Sequence, residues 1–278
     1  MRSTQKLPAA IARYGYLTIG VIIILFPLYL TLITALKTPE QSAANFFSLP
    51  TTLNLENFRI VLNKAHYFRY FFNSLIISVL SIGMEMILLP LFSYVISRNA
   101  RSRYYKIIYF MTVLGIFIPF QVVMLPTIKL LFRVNLLTTT GLIILYITYT
   151  MKKGTFLFVG YLKSIPYELE ESAYMDGCSI VKSYLFIVLP LLKPLIATMI
   201  IVDGLWVWND FLLPLLVLNR DVSGWTLPLF QFQFKNQYSF DYNLAFASFL
   251  MGMLPIMLVY VFLQKHIIAG MTKGALKG

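Results

Sequence analysis

Acid is scarce in this chain: 11 aspartates and glutamates stand among 278 residues, against 23 lysines and arginines, for a formal net charge of +12. Cysteine is scarcer still. The single Cys178 excludes an intramolecular disulfide, and the two histidines, His66 and His266, are too distant in sequence to suggest a metal site. No Gly-x4-Gly-Lys-Ser/Thr phosphate loop occurs, so if ATP is used it is bound by another chain. No His/Asp/Ser or metal-ligand constellation suggests a membrane enzyme. The surplus of basic residues does not point to nucleic acid, because these residues are scattered between apolar runs rather than gathered on one domain.

What is present is apolar surface. Hydrophobic residues make up 59% of the chain and charged residues 12%, which sets it far from a soluble domain. A hydrocarbon core about 30 Å thick needs about twenty apolar residues per helix. Six stretches meet that requirement, roughly 14–36, 73–97, 107–128, 138–162, 191–217 and 244–264. The expected fold is therefore an all-α integral membrane protein with six transmembrane helices. The first run follows Arg2, Lys6 and Arg13 but lacks a convincing small-x-small cleavage pattern, and it reads as a retained span. The domain reading is an N-terminal segment 1–13, one six-span membrane domain 14–264, and a tail 265–278.

Orientation follows from the short loop Arg98 to Lys106, which holds Arg98, Arg101, Arg103 and Lys106 and no acid. The positive-inside rule makes that loop cytoplasmic. Both termini and the loop 163–190 then lie inside, and the segments 37–72 and 218–243 outside.

Four of the eleven acids, Glu168, Glu170, Glu171 and Asp176, fall in the polar stretch Ser164 to Pro190. Pro166 suits the first turn of a helix, and the glutamates after it suit the positive end of the helix dipole. Gly177 can end that helix in the left-handed conformation, and Ser179 can cap a second, with Ile180, Tyr184 and Val188 along one face. The spacing predicts a short helix, a glycine turn and a second short helix outside the bilayer core.

The same residues carry a resemblance. Glu171-Ser172-Ala173, three residues, Gly177, nine residues and Ile187-Val188-Leu189-Pro190 are similar to the Glu-Ala-Ala-x3-Gly-x9-Ile-x-Leu-Pro pattern of permeases of ATP-binding-cassette importers. Ser172 in place of the usual alanine is the departure, and it keeps a small side chain. Further resemblance lies in Phe26-Pro27-Leu28, Leu55-Glu56-Asn57-Phe58, Phe72-Asn73-Ser74, Ile118-Pro119 to Pro126, Trp208-Asn209-Asp210-Phe211 with Pro214-Leu215, and the tail from Ala269 to Gly278. Together these resemble the second, shorter permease of maltose-type carbohydrate importers.

That resemblance implies the type I importer permease fold and a place in the bacterial plasma membrane. It implies a second related permease as heterodimer partner, two cytoplasmic ATPase subunits holding ATP and magnesium, and an extracytoplasmic substrate-binding protein that delivers an oligosaccharide. No cofactor is expected in this chain. Glu168, Glu171, Ser172, Ala173, Asp176 and Gly177 would form the coupling helix that docks on the ATPase. Gln231, Phe232, Gln233, Phe234, Lys235 and Asn236 would contact the binding protein, although alternation of amides and aromatics also suits an exposed hairpin. The tail, with glycines at 270, 274 and 278, is expected to be a poor helix, lying along the ATPase or fraying. The alternative function is an ion-coupled secondary transporter of a small polar solute, which commonly carries inverted repeats that this sequence lacks.

Charges within the bilayer cost at least about 2.5–3.5 kcal/mol each, so Glu85, Lys152, Lys153, Asp203 and Asp210 need cavities or partners. Glu85 stands one turn from Ser81 and can be satisfied between helices. Lys152 and Lys153 must lie within the membrane's thickness, since 138–151 as a helix rises only about 21 Å. Two readings stand for them: an ion pair with Asp203 buried between spans four and five, or a cation facing the pathway, which would favour an acidic oligosaccharide. Trp206, Trp208, Asn209 and Asp210 likewise have two readings, as markers of the membrane interface or as aromatic faces and polar groups that hold a sugar.

Overall fold

The computed structural model describes residues 6–64, 66–234 and 241–275, and among these the regular structure is entirely helical. In chain order the helices are α1 (Lys6–Ala35), α2 (Pro39–Ala44), α3 (Glu56–Lys64), α4 (Tyr67–Arg98), α5 (Arg103–Leu114), α6 (Phe120–Arg133), α7 (Thr139–Lys163), α8 (Glu168–Met175), α9 (Ile180–Ser183), α10 (Leu189–Asn209), α11 (Leu212–Leu218), α12 (Leu227–Gln231) and α13 (Tyr242–Ala275). Among the described residues, five helical stretches are long and apolar enough to cross a membrane: Arg13–Ala35, Tyr67–Arg98, Thr139–Lys163, Ile180–Asn209 and Tyr242–Phe262.

The sixth expected span, 107–128, is not one rod. It is a pair, Arg103–Phe117 and Phe120–Arg133, bent by 109°, and counting the pair as one span gives six. The reason is local. Ile118 precedes a proline and takes φ −88°, ψ 111°, and Pro119 has no N–H to continue the helical ladder. The fifth span also differs from the expected 191–217. It begins at Ile180 and stops at Asn209, because Asp210 turns out of the helix at ψ 128° and its carboxylate accepts the Leu212 N–H at 3.1 Å, which starts α11. The tail is helical to Ala275 rather than broken by Gly270 and Gly274; extending a helix already 28 residues long requires no new nucleus.

The chain divides into two compact units, 1–68 with 230–254 and 69–229 with 255–278. In the first, buried Lys37 lies just beyond α1. Its ammonium donates to Asn45 O at 2.9 Å, Phe46 O at 3.1 Å and Ser48 Oγ at 3.4 Å, and loss of water pushes it below the usual lysine range. Two asparagine amides close the same end. Asn57 donates to Ala35 O and Lys37 O, and Asn243 to Thr34 O and Lys37 O, so carbonyls that a helix C-terminus leaves open are satisfied.

The second unit holds two apolar cores. One gathers Ile77, Leu142, Leu145, Tyr146, Val207 and Leu213, and the other Leu89, Phe158, Leu162, Tyr184, Val188 and Leu192. Helix α7 contributes to both. Gly154 sets its approach to α4, because a Cβ there would run into the Leu89 side chain, and small residues at such crossings are what membrane helices use to pack closely.

Candidate functional site

The elbow at Ile118-Pro119 brings the start of α6 beside α7 and α10, and between them opens a cavity of about 470 Å³. Phe120 and Gln121 come from α6, Tyr149, Thr150 and Lys153 from α7, and Asp203, Trp206 and Asp210 from α10 and its cap, with Leu212 and Leu213 of α11 closing it. The spacings explain the convergence. Positions 149 and 153 share one helix face, as do 203, 206 and 210.

Lys153 Nζ meets Asp203 Oδ1 at 2.6 Å. The lysine side chain is 46% exposed and the aspartate 1%, so the pair is at once buried at its acid end and open to the cavity at its basic end. Of the two readings of the lysine, the ion pair with Asp203 is the one formed, by Lys153, whose side chain also borders the cavity. Buried Glu85 adjoins Thr150 and Asp203 rather than pairing with Ser81, whose hydroxyl has no hydrogen-bond partner among the described residues. Two carboxyl groups thus face one ammonium. Lys152 points elsewhere, its stem against Gly115 at the elbow and its ammonium 4.8 Å from the centre of the Tyr149 ring.

The expected tryptophan cluster is split. Trp206, 41% exposed, lines the cavity and meets Tyr146 edge-on with ring centroids 5.4 Å apart. Trp208, 7% exposed, lies against Phe71 and lines a separate apolar cavity of about 350 Å³ with Leu75, Ile82 and Ile200. Two residues of helix turn the second indole by about 200°, which separates the two rings. Asn209 donates its amide to Leu205 O on its own helix and does not line either cavity, whereas Asp210 accepts the Tyr146 hydroxyl at 3.0 Å.

The polar stretch 164–190 has the predicted helix, glycine turn and second helix. Helix α8 begins at Glu168, two residues after Pro166, with Glu168, Glu170 and Glu171 in its first turn. Gly177 has φ +81°, and the N–H groups of Gly177 and Cys178 donate to Tyr174 O at 3.0 Å and Ala173 O at 2.9 Å, the Schellman ending of a helix. Ser179 Oγ accepts the Lys182 N–H at 3.4 Å as the cap of α9. Glu168, Glu171, Ser172, Asp176 and Gly177 are exposed and Ala173 is half-buried, while the Ser172 hydroxyl bonds back to Glu168 O. The proposed apolar face holds for Tyr184 and Val188 but not for Ile180, which is 65% exposed. The backbone from Tyr184 to Val188 widens into a π turn ahead of Pro190, which changes the helical phase.

Glu170 is the residue that the sequence pattern passed over. It is fully buried. Its carboxylate accepts the Tyr94 hydroxyl at 2.7 Å and Arg98 Nε at 2.7 Å, with Arg98 Nη2 at 2.6 Å. A signal existed in the four-residue clustering of the acids, since helix periodicity turns position 170 away from 168 and 171. Arg98, read from sequence for orientation only, is its partner.

In the stretch 227–234 Gln231 donates to Ser248 O at 3.0 Å, Phe232 is half-exposed, and Phe234 meets Phe230 with centroids 5.2 Å apart. Residues 227–234 are helical, so the hairpin alternative fails there. The Gln233 side chain, Lys235 and Asn236 lie outside the described residues.

Comparison with known proteins gives a consistent picture. Residues 86–273 match the family model described as binding-protein-dependent transport system inner membrane component. The chain is 44% identical over 267 residues to the multiple sugar-binding transport system permease protein MsmG of Streptococcus mutans, covering 95% of this chain and 96% of that protein. It is 35% identical to the probable starch degradation products transport system permease protein AmyC of Thermoanaerobacterium thermosulfurigenes, covering 96% and 98%. Among solved structures, a bacterial ABC transporter involved in import of the acidic polysaccharide alginate superposes with a TM-score of 0.78 at 19% identity, covering 95% of this chain and 98% of that one.

Proposed function

The chain belongs to the family of binding-protein-dependent transport system inner membrane components, and on that premise we propose that it forms half of the translocation pathway of an ATP-driven oligosaccharide importer. It is a permease subunit and not itself the catalyst. A second related permease completes the pathway, two ATPase subunits work on the cytoplasmic side with ATP and magnesium, and an extracytoplasmic binding protein delivers the sugar. The ion-coupled alternative falls with the family assignment.

The observation that carries the sugar reading is the wall of the 470 Å³ cavity, which the Tyr149 and Trp206 side chains line beside Lys153, Asp203 and Gln121. Aromatic faces suit the C–H surfaces of a pyranose, and the polar groups suit its hydroxyls. The names of the relatives, a multiple sugar-binding system and a starch-product system, support the same class. Because Asp203 sits 2.6 Å from Lys153, the pathway wall offers no unpaired cation among its described residues, and the cargo needs no acidic group. The exposed side of α8, with Glu168, Glu171, Ser172 and Asp176, is the surface for the ATPase, and Gln231 to Asn236 the segment for the binding protein. Both termini then face the cytoplasm of a bacterial cell.

The test is uptake by vesicles holding the assembled complex. Uptake should require both ATP inside and loaded binding protein outside, with a neutral oligosaccharide carried at least as well as its carboxylated counterpart. Uptake driven by an ion gradient without ATP would sink the proposal, and strong preference for the carboxylated sugar would restore the acidic cargo.

A further inference from the structure

The coupling stretch is attached to the membrane helices in two unlike ways. On one side, α8 is fastened through the buried carboxylate of Glu170. That group takes the Tyr94 hydroxyl and the Arg98 guanidinium, both from the last turns of α4, at 2.6 to 2.7 Å. Arg98 also reaches Leu162 O at the end of α7 at 3.3 Å, and its guanidinium lies 5.9 Å from the Tyr94 ring centroid and 5.6 Å from that of Tyr167. A planar fork bonded on several sides and flanked by rings has little freedom to shift. Tyr174, one turn along α8, adds its hydroxyl to the same carboxylate at 3.4 Å. On the other side, α8 continues to α10 only through Gly177, the four-residue α9 and the π turn Tyr184–Val188, where Leu189 N–H reaches back five residues to Tyr184 O. On this side the π turn and the prolines at 190 and 194 interrupt the i→i−4 ladder, and the turn is held by apolar packing of Tyr184 and Val188 rather than by an ion pair among the described residues.

The two helices joined to Glu170 are also the two that bring Glu85 and Lys153 to the cavity. From Leu162 to Lys153 along α7 is nine residues, about 14 Å, and from Arg98 to Glu85 along α4 is thirteen, about 20 Å. Asp203 lies on α10, beyond the π turn.

We propose that the Arg98–Glu170 pair is a rigid link by which displacement of the coupling helix is delivered to α4 and α7 rather than to α10, so that it shifts Lys153 against Asp203 and changes the cavity wall. Glu170 and Arg98 act as positioning residues and touch neither sugar nor ATPase. This rests on the importer reading of the chain.

The experiment compares ATP hydrolysed per sugar taken up in reconstituted complexes of wild type and Glu170→Gln, with Tyr94→Phe as a milder second variant that deletes only one hydroxyl. Assembly with the ATPase subunits is checked by copurification. Mutations along coupling elements typically change coupling by several-fold, so Glu170→Gln should raise the ATP-to-sugar ratio about tenfold and Tyr94→Phe by about threefold. Hydrolysis without binding protein should stay within about twofold in both, because the docking face of α8 is untouched, while its stimulation by loaded binding protein falls with the coupling. A merely structural role would lower hydrolysis and uptake together and leave the ratio near that of wild type. That result in the assembling variants overturns the proposal, as does failure of both variants to assemble. Wild-type complex that shows no sugar-dependent hydrolysis fails the importer reading itself, a different outcome from an unchanged ratio.

Discussion

Glu170 and Asp203 form ion pairs of the same length, 2.6 Å, and each acid is at most 1% exposed, yet their surroundings assign them different work. Glu170 has every neighbour it needs. Its base is an arginine 14% exposed, and tyrosine hydroxyls take up the rest of the carboxylate. Asp203 is left unfinished. Its base is a lysine 46% exposed to a cavity, its second oxygen has no hydrogen-bond partner among the described residues, and a second acid, Glu85, stands beside it. A carboxylate bonded on both oxygens, as Glu170 is, resists displacement; one with an unbonded oxygen beside a cavity is prepared to exchange partners. Pair length and burial alone would have ranked the two as equals.

The largest expected difference tests that contrast directly. Arg98→Met leaves Glu170 fully buried without its counter-charge and should cost about 3–5 kcal/mol, seen as a sharp fall in the melting temperature of the purified complex. Asp203→Asn leaves Lys153 able to turn into the cavity, so its cost should stay below about 1 kcal/mol while uptake falls. Equal losses of stability would make both pairs structural.

Gly177→Ala probes the same coupling region without touching charge. At φ +81° a Cβ is strained by about 1–2 kcal/mol although nothing lies within 4 Å of it, so the variant should lose uptake through the turn rather than through a clash. An unaltered rate of uptake would show that the turn yields freely.

On the cavity side, Trp206→Ala should raise the sugar concentration for half-maximal uptake about fivefold, in line with the roughly 1 kcal/mol that a well-placed aromatic face adds. Trp208→Ala should instead lower stability, because that ring packs against Phe71. If the two exchange roles, the assignment of the cavity is wrong.

Asp221 supplies an exposed acid as a control with the smallest effect. The Ser223 hydroxyl first, and then its N–H, hold the carboxyl below its usual value of about 3.9, outweighing loss of water. A depressed folded value contributes stability above the unfolded value and loses it as pH falls through the folded one. The turn also holds the Asn73 amide on Ser223 O and Trp225 O. With Trp206 and Trp208 changed to phenylalanine, Trp225 emission should therefore be flat from pH 7 to about 4 and change only below that. A transition near pH 6 would place a different group in control.

Much of this was legible without coordinates. The hydrophobic runs determined the helices because a bilayer leaves a backbone no other partners, and Gly177 and Ser179 determined how the coupling stretch turns because only particular residues suit a left-handed turn or a helix cap. Family resemblance lay in the same local pattern. What sequence could not decide was partnership across distance: that Lys153 rather than Lys152 meets Asp203, that Trp206 and Trp208 face different cavities, and that Arg98 lies on Glu170 from 72 residues away. Rotation about a helix axis settles each of these. The breaks at Ile118-Pro119 and Asp210 and the π turn before Pro190 set those rotations, and their effect on facing side chains exists only once α4, α7 and α10 are packed together.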